Sequence, residues 1–285
     1  MTTLEPWLSH IQQAWQNLQH QQPLLHYITN SVAANYAANV TLACGASPAL
    51  IDNPFEAAGF CKIANALSIN LGTPTTEQVQ AMQMAAQSAH QHQIPWVLDP
   101  VGYGSALPWR SEIVDQLLAF KPQLIRGNAS EISTLAGNFA AHKGVDSTLS
   151  SEDVYCIAPQ LWQHAPCIAI SGRSDFIVSQ ELDLVIQVNG GSALQPKVTA
   201  MGCALGALCA AYISVSSTTI GTVAAHVHFA IAAKLAMQAS SGIGSFNVAF
   251  LDELSNMNTD KIAEHLDIAL WSLNDCNCTT DRYKN

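Results

Sequence analysis

The sequence predicts an α/β fold of three layers, a mostly parallel central sheet with helices on both faces. Short runs rich in branched apolar residues alternate with Ala-rich segments of helical length. Parallel strands need a crossover connection, and this alternation is typical of a parallel sheet covered on both sides. No internal repeat, low-complexity tract or interdomain linker interrupts the 285 residues. We therefore expect a single domain over residues 1–285, ending in a polar tail at 274–285.

Five apolar runs are the predicted parallel strands, and two further runs form a predicted hairpin. The hairpin runs, 175–179 and 183–188, flank a short polar turn. We expect the chain after Ala200 to be mostly helical. The five strand runs are 48–51, 67–71, 96–98, 123–125 and 167–170.

Two helices are predicted from apolar spacing and from their end signals. The first has its apolar face on Leu4, Leu8, Ile11, Trp15 and Leu18, and it ends before Pro23. The second lies between the strands at 67–71 and 96–98. We expect Thr73 to be its N-cap and Pro74 to lie in its first turn, with Pro95 closing it.

One uncharged segment, 198–233, resembles a membrane span in composition. Polar residues at 214–219 and Gly221 interrupt it, and its uninterrupted apolar piece covers only 204–213. That length is about half of what a bilayer requires. We interpret the segment as two buried helices, and we expect no membrane partner.

Charge and composition narrow the function classes. Lys and Arg number 11 against 21 Asp and Glu, a net charge of −10, with no basic run; nucleic-acid binding is not expected. Charged residues make up 11% of the chain, below the usual ~25%, which indicates a compact body with further surface buried between subunits.

The N-terminus lacks the basic start and apolar stretch of a secretory signal. Most of the eight cysteines lie in Ala-rich segments without a paired C-x-x-C motif, and Cys276 and Cys278 lie in the polar tail with no nearby histidine. We expect reduced thiols and a cytoplasmic location.

Polar residues follow the predicted strands, where the ligands of open parallel sheets bind. Asp99 and Glu131 are carboxylates that can hold Mg²⁺ directly or through water, and Arg126 suits phosphate oxygens. The segment from Ala200 to Cys203 precedes an apolar helix and would aim backbone N–H groups at an anion. Together these parts are what phosphoryl transfer needs. The segments that follow the predicted strands are 72–74, 99–102, 126–131, 171–173 and 199–203.

Each residue also has a purely structural interpretation. Asp99 can be a helix cap, and Glu131 a favourable acid in a first helical turn. Arg126 can be a surface ion pair, and Cys203 a core filler. The sequence contains neither G-x-x-x-x-G-K-[ST] nor G-x-G-x-x-G, which excludes a P-loop and disfavours a dinucleotide site.

Five segments, in order, resemble the hydroxyethylthiazole kinase family of the ribokinase-like superfamily. The likeness runs from about residue 20 to about residue 250. The segments are Leu25-His-Tyr-Ile-Thr-Asn30, Gly45-Ala-Ser-Pro48, Leu98-Asp-Pro-Val-Gly102, Ile125-Arg-Gly-Asn-Ala-Ser-Glu131 and Gly202-Cys203-Ala-Leu.

This resemblance implies ATP-dependent phosphorylation of 4-methyl-5-(2-hydroxyethyl)thiazole in thiamine salvage, by a homotrimer with active sites between subunits. It implies Mg²⁺ as cofactor, organised by Asp99 and Glu131. Arg126 and Ser171, where the family often has Thr, would contact ATP. Cys203 would stand where related kinases have an Asp base.

The thiazole contacts are also implied by the resemblance. Asn30, Leu50 and the backbone of Ala200 would contact the thiazole, with Val32 and Ala33 as further walls. Leu50 stands where the family commonly has Met. Backbone N–H groups of Met201, Gly202 and Cys203 would form an anion hole.

One position departs from the family pattern G-x-G-C. This chain has Ala200-Met-Gly-Cys203, so a positive φ at the first position would strain the alanine. We expect the start of the helix to lower the pKa of the Cys203 thiol.

Three alternatives remain open on the sequence. A nucleotide-dependent lyase on the same scaffold would need a stronger acid or base than Cys203, and a non-catalytic thiazole-binding protein is compatible with Ala200-Met201. A cysteine hydrolase would need a histidine beside the thiol. His226 and His228 point to different faces of one predicted helix, and we expect both in the core.

Overall fold

A computed structural model describes residues 5–137 and 150–273, and within them it contains one nine-stranded sheet. The strands are β1 (Leu24–Ile28), β2 (Ser47–Leu50), β3 (Ala66–Asn70), β4 (Trp96–Asp99), β5 (Leu124–Asn128), β6 (Cys167–Ser171), β7 (Asp175–Ser179), β8 (Leu184–Val188) and β9 (Ile268–Ser272).

The sheet order is β2-β1-β3-β4-β5-β6-β7-β8-β9. Every neighbouring pair from β2 to β6 is parallel, and the pairs β6–β7, β7–β8 and β8–β9 are antiparallel. Parallel strands all end on the same edge of a sheet, so the polar residues after β1, β3, β4, β5 and β6 are brought to one edge.

Eleven α-helices lie in the described ranges. They are α1 (Glu5–Gln21), α2 (Ala34–Ala43), α3 (Pro54–Cys61), α4 (Thr76–His92), α5 (Pro108–Leu118), α6 (Ala129–Leu135), α7 (Ser151–Val154), α8 (Met201–Ile213), α9 (Thr218–Ala239), α10 (Ile243–Ser255) and α11 (Thr259–His265).

Two apolar cores lie on opposite faces of the sheet. One unites α1, α2, α8, α9 and α10 with strand residues such as Val97 and Leu124. The other unites α3, α4 and α5 with the alternate strand residues, among them Leu98 and Ile125. Each large apolar side chain fully removed from water stabilises the fold by roughly 1.5–3 kcal/mol. The predicted three-layer α/β architecture is confirmed.

The predicted strands and hairpin are confirmed to within a few residues, but two strands were missed. β1 lies in the segment 25–30, which was singled out only as a motif, and β9 lies in the part predicted to be mostly helical. The predicted start of α4 was wrong. Its N-cap is Thr75, whose hydroxyl accepts the N–H of Gln78 while the Gln78 side chain accepts the N–H of Thr75.

The two helices predicted in the uncharged segment are α8 and α9. In the described part of the chain, α9 alone is long and apolar enough to cross a membrane by length and composition, and 72% of its apolar window is buried inside the fold. This burial identifies α9 as a core helix of the three-layer architecture. Leu4, the tail at 274–285, Cys276 and Cys278 lie outside the described residues.

Candidate active site

The candidate site lies where the first strands of the sheet end against the N-terminus of α8. The parallel register pairs Asn70 with Asp99 and Asn128 with Ser171. The side chains of Asn70, Asp99 and Arg126 share the face of the sheet that α8 covers, because they alternate with residues of the opposite core. The fold therefore gathers residues from separate stretches of chain at one edge.

Arg126 connects two neighbouring strand ends. Its Nη1 lies 3.5 Å from Oδ2 of Asp99, and its Nη2 donates a hydrogen bond of 2.7 Å to Oγ of Ser171. Arg126 is only 7% exposed and Asp99 only 1%. The burial of Arg126 excludes a surface ion pair. Asp99 is not a helix cap, because it is the last residue of β4 and the next helix, α5, has Leu107 as its N-cap.

The electrostatics of this pair are dominated by its burial. Burial raises the pKa of the Asp99 carboxyl to about 7, against the positive charge of Arg126, which lowers it, and with the negative charge of Glu131, which raises it further. For Arg126, burial lowers the pKa, but the nearby Asp99 and Asp175 charges outweigh it, so its pKa is raised overall. Oδ1 of Asp99 and Nε of Arg126 are buried without a hydrogen-bond partner in the described residues.

A chain of amides leads from Asp99 to Cys203. Nδ2 of Asn70 donates to Oδ2 of Asp99 at 2.8 Å, and Nδ2 of Asn30 donates to Oδ1 of Asn70 at 2.6 Å. Nδ2 of Asn30 also donates to Sγ of Cys203 at 3.4 Å. Asn70 was missed as a site residue. Its signal was an asparagine within the strand run Leu67-Ser-Ile-Asn-Leu71, where the polar residues alternate with apolar ones.

Cys203 is the third residue of α8 and is partly exposed. Burial and, second, the negative charge of Asp99 raise the pKa of its thiol, against the hydrogen bond from Asn30 and the positive charge of Arg126. The expectation that the helix start lowers this pKa was wrong in direction. Burial of the thiol and the charge of Asp99, which lies on a separate strand, determine the direction of the shift.

Ala200 precedes α8 in the left-handed region, with φ of 68° and ψ of 0°. This is the positive φ that we expected to strain an alanine. After this position, two glycines of α8 lie close to side chains of the sheet. A Cβ on Gly202 would lie 3.1 Å from Nη1 of Arg126, and one on Gly206 would lie 3.3 Å from Oδ2 of Asp99.

Glu131 lies in the first turn of α6, beyond the end of β5. Its Oε1 accepts the N–H of Gly102 and its Oε2 accepts the N–H of Asn128, both at 2.8 Å. The side chain of Asn128 accepts the N–H of Glu131 in return. Glu131 is therefore an acid in the first turn of α6, which agrees with its purely structural interpretation. Its bond to Gly102 also connects α6 to the turn that follows Asp99.

The expected thiazole contacts divide between the interior and the surface. Asn30 and Ala33 are buried, and the N–H of Ala33 donates to Oδ1 of Asn30 at 2.9 Å. Leu50, at the end of the edge strand β2, is 41% exposed, and Val32 is 58% exposed. Leu50 and Val32 thus present an apolar surface outside the cluster of Asn30, Asn70, Asp99 and Cys203.

The two histidines of α9 are buried, as expected. His228 lies in the core, where its Nδ1 contacts the Tyr212 hydroxyl at 2.7 Å and its Nε2 contacts the Leu254 carbonyl oxygen at 3.0 Å. His226 contacts Asp175. In the described chain, the thiol of Cys203 contacts amides rather than an imidazole, an arrangement that disfavours a cysteine hydrolase.

Comparison with known proteins identifies the family to which the chain is similar. The model of the hydroxyethylthiazole kinase family matches residues 15–260. The hydroxyethylthiazole kinase of Acinetobacter baumannii strain ACICU is 60% identical over 273 residues, which cover 96% of this chain and 99% of that protein.

Solved structures agree with the fold. A hydroxyethylthiazole kinase protein from Pyrococcus horikoshii OT3 has a TM-score of 0.83 at 29% identity, covering 93% of this chain and 100% of that chain. A ribokinase-like superfamily protein from Enterococcus faecalis V583 has a TM-score of 0.56 at 13% identity, covering 86% and 89%. The latter shows the fold alone, and it is the predicted ribokinase-like one. With a match over most of its length and a closely similar relative, the chain belongs to the hydroxyethylthiazole kinase family.

Proposed function

We propose that this protein transfers the γ-phosphoryl group of ATP to the hydroxyl of 4-methyl-5-(2-hydroxyethyl)thiazole, in thiamine salvage. One observation carries the proposal beyond family membership. A buried arginine, a carboxylate, and a thiol on the first turn of a helix meet at a single edge of the sheet, linked by the contacts of Arg126, Asp99, Asn30 and Cys203. An anion-binding arginine, a carboxylate that can hold a cation and a group that can accept the hydroxyl proton are parts that phosphoryl transfer to an alcohol uses.

The phosphate groups of ATP would bind at Arg126, Ser171 and the start of α8. The guanidinium of Arg126 is already oriented by Asp99 and Ser171, so binding an anion requires little ordering of the side chain. The N–H groups of Met201, Gly202 and Cys203 belong to the first turn of α8, where backbone donors lack partners in the helix. Together they would stabilise charge on the transferred group.

Asp99 and Glu131 would hold Mg²⁺ with the help of water and phosphate oxygens. The residues fit this role because Oδ1 of Asp99 is a buried oxygen without a hydrogen-bond partner in the described ranges. Each oxygen of Glu131 accepts a single backbone hydrogen bond, and a carboxylate oxygen can accept more. When bound, the ion would neutralise negative charge on the phosphates.

Cys203 would orient the attacking hydroxyl and take its proton. Only the thiolate can accept the proton, and the raised pKa makes the thiolate scarcer but a stronger base. A loose transition state develops little charge on the attacking oxygen, so orientation matters more than the strength of the base. The hydrogen bond from Asn30 stabilises the thiolate before the proton arrives.

The thiazole would lie beside Asn30, Leu50 and the backbone of Ala200. Exposed apolar side chains at this edge, Val32, Leu50 and Phe55, support a second subunit covering the site, as in the proposed homotrimer. The continuous nine-stranded sheet supports one kinase domain over residues 1–285. A cytoplasmic location fits a soluble metabolic kinase.

The decisive experiment measures ADP release with a panel of heterocyclic alcohols, with and without Mg²⁺. We expect ADP release with the thiazole alcohol and Mg²⁺, and none with 5-ethyl-4-methylthiazole, which lacks the hydroxyl. Calorimetry on the same compounds identifies the alternatives. Binding of the alcohol without ADP release would indicate a thiazole-binding protein, and ADP release that does not depend on the alcohol would contradict phosphoryl transfer to its hydroxyl.

A further inference from the structure

A buried histidine and an aspartate lie directly behind the contact between Arg126 and Ser171. His226, on α9, is fully buried, and its Nδ1 lies 2.7 Å from Oδ2 of Asp175. Asp175 is the first residue of β7, and its side chain is 19% exposed. The pair therefore connects the interior of the fold to the edge of the sheet where the site lies.

Asp175 also forms a hydrogen bond with Gly172, the residue that follows Ser171. Its Oδ1 accepts the N–H of Gly172 at 3.0 Å. Ser171 is the last residue of β6, and its Oγ accepts the hydrogen bond from Arg126. One carboxylate thus joins the helix α9 to the turn that sets the position of Ser171.

The hydrogen on His226 can be assigned from its partner. A carboxylate only accepts, so Nδ1 of His226 carries the hydrogen and donates it to Asp175. Nε2 is buried and has no hydrogen-bond partner in the described residues. The polar contact of the ring therefore depends on Nδ1 alone.

The rest of the turn is held tightly by other groups. Oγ of Ser151 donates to the carbonyl oxygen of Ser174 at 2.6 Å, and Oγ of Ser174 donates to Oδ1 of Asn189 at 2.8 Å. A Cβ on Gly172 would clash with the side chain of Ser151, so another residue type fits in this turn only if Ser151 moves. Such packing transmits a displacement of Asp175 to Ser171 instead of absorbing it.

We propose that His226 is a positioning residue for the nucleotide. It orients Asp175, and Asp175 fixes the turn at Gly172 so that Ser171 and Arg126 present one phosphate-binding surface. The negative charge of Asp175 also contributes to the raised pKa of Arg126, which places it within electrostatic reach of the guanidinium. This inference rests on the proposed function, because it assumes that ATP binds at Arg126 and Ser171.

The test compares His226→Asn with His226→Gln. The amide nitrogen of Asn can occupy the place of Nδ1, whereas that of Gln lies one bond further out, near Nε2. A hydrogen bond to a charged group is worth roughly a tenfold change in binding. We expect His226→Gln to raise KM for ATP by about tenfold with KM for the thiazole alcohol within about twofold of wild type, and His226→Asn to restore KM for ATP.

Asp175→Ala is a second variant that leaves α9 untouched, should His226→Gln fail to fold. We expect it to raise KM for ATP similarly. Where His226→Gln folds, we expect the double variant to add nothing further. An unchanged KM for ATP in Asp175→Ala, or an equal rise in both KM values with no rescue by Asn, would overturn the assignment.

Calorimetric titration of the same variants with ATP alone separates this inference from the proposed function. A wild-type protein that binds ATP but transfers no phosphate removes the kinase proposal, while weaker binding by His226→Gln still supports the role of His226. A wild-type protein that does not bind ATP overturns both.

Discussion

The side-chain amide of Asn30 lies 3.4 Å from the sulfur of Cys203 and donates a hydrogen bond to it. The sulfur of this site is therefore an acceptor with an amide partner. The same amide donates to Asn70, which donates in turn to Asp99. The direction of these bonds depends on the carboxylate, because Asp99 can only accept when ionised.

Replacing Cys203 tests the proton-accepting role. We expect Cys203→Ala to lower kcat by roughly 10²–10⁴-fold, the usual range for a general base. ATP affinity should be retained because alanine keeps the backbone N–H at this position and the other phosphate contacts are unchanged. Cys203→Asp should keep activity, since a carboxylate accepts the same proton. The measurement is ADP release together with ATP titration.

Cys209→Ala is the matched control, because Cys209 is a buried cysteine on the same helix. It should leave kcat near that of wild type. A folded Cys203→Asp variant without any activity would count against the proton-accepting role.

We expect Asn70 to contribute to catalysis as much as the site residues that the sequence motifs identified. Asn70→Leu keeps the approximate volume but removes the hydrogen bonds that Oδ2 of Asp99 and Nδ2 of Asn30 make to Asn70. Losing a buried hydrogen bond to a charged group costs about 1.5–3 kcal/mol. We therefore expect kcat/KM for the thiazole alcohol to fall by roughly 10–100-fold.

Ser68→Ala provides the comparison for Asn70, since Ser68 is buried two residues earlier on the same strand and face. It should retain activity. Equal losses in both variants would show that the strand, rather than the amide of Asn70, is what the substitutions disturb.

The sheet and its site edge could be predicted because local patterns encode them. Apolar runs of strand length alternate with helical segments, and parallel strands must end together. Two strands were missed for different reasons. β1 contains His26 and Tyr27, which weaken its apolar pattern, and β9 pairs with β8 across a sequence separation of about 80 residues. Nothing local marks such a pairing.

The start of α4 could have been predicted correctly. Threonines stand at 73, 75 and 76, and only Thr75 has a glutamine three residues later to complete a capping box. The pKa of Cys203 could not have been predicted. Its direction depends on burial and on Asp99 from a distant strand, and neither is visible in the residues around the thiol.

Ala200→Gly should stabilise the protein. A residue other than glycine in the left-handed region destabilises the fold by roughly 1–2 kcal/mol. Glycine avoids this strain, but its more flexible unfolded chain lowers the stability by roughly 0.5–1 kcal/mol. We expect the free energy of unfolding to rise by about 0.5–1 kcal/mol, measured by urea denaturation.

The comparison for this substitution is Ala38→Gly, in the middle of the right-handed helix α2. There glycine should destabilise by about 1 kcal/mol. If both variants lost stability alike, the strain at Ala200 would have to be absent in solution.

His228 should make the stability of the protein fall in mild acid. It is fully buried against Tyr212 and Leu254, and burial lowers its pKa to about 4 from the ordinary value of 6.5. Between pH 4 and 6.5, His228 is mostly protonated in the unfolded chain but mostly neutral in the folded one. The contribution of His228 is thus complete above pH ~6.5, is lost as the pH falls towards ~4, and amounts to about 3 kcal/mol.

His228→Gln isolates this contribution, because an amide can bond to the Tyr212 hydroxyl and the Leu254 carbonyl but does not titrate. Urea denaturation of both proteins between pH 7.5 and 4.5 gives their difference in stability, from which the shared titration of carboxylates cancels. We expect wild type to lose its advantage over the variant as the pH falls. A difference that stays constant across this range would mean that His228 accepts its proton as readily in the fold as in the unfolded chain, and that its burial between α8 and α10 does not disfavour its charge.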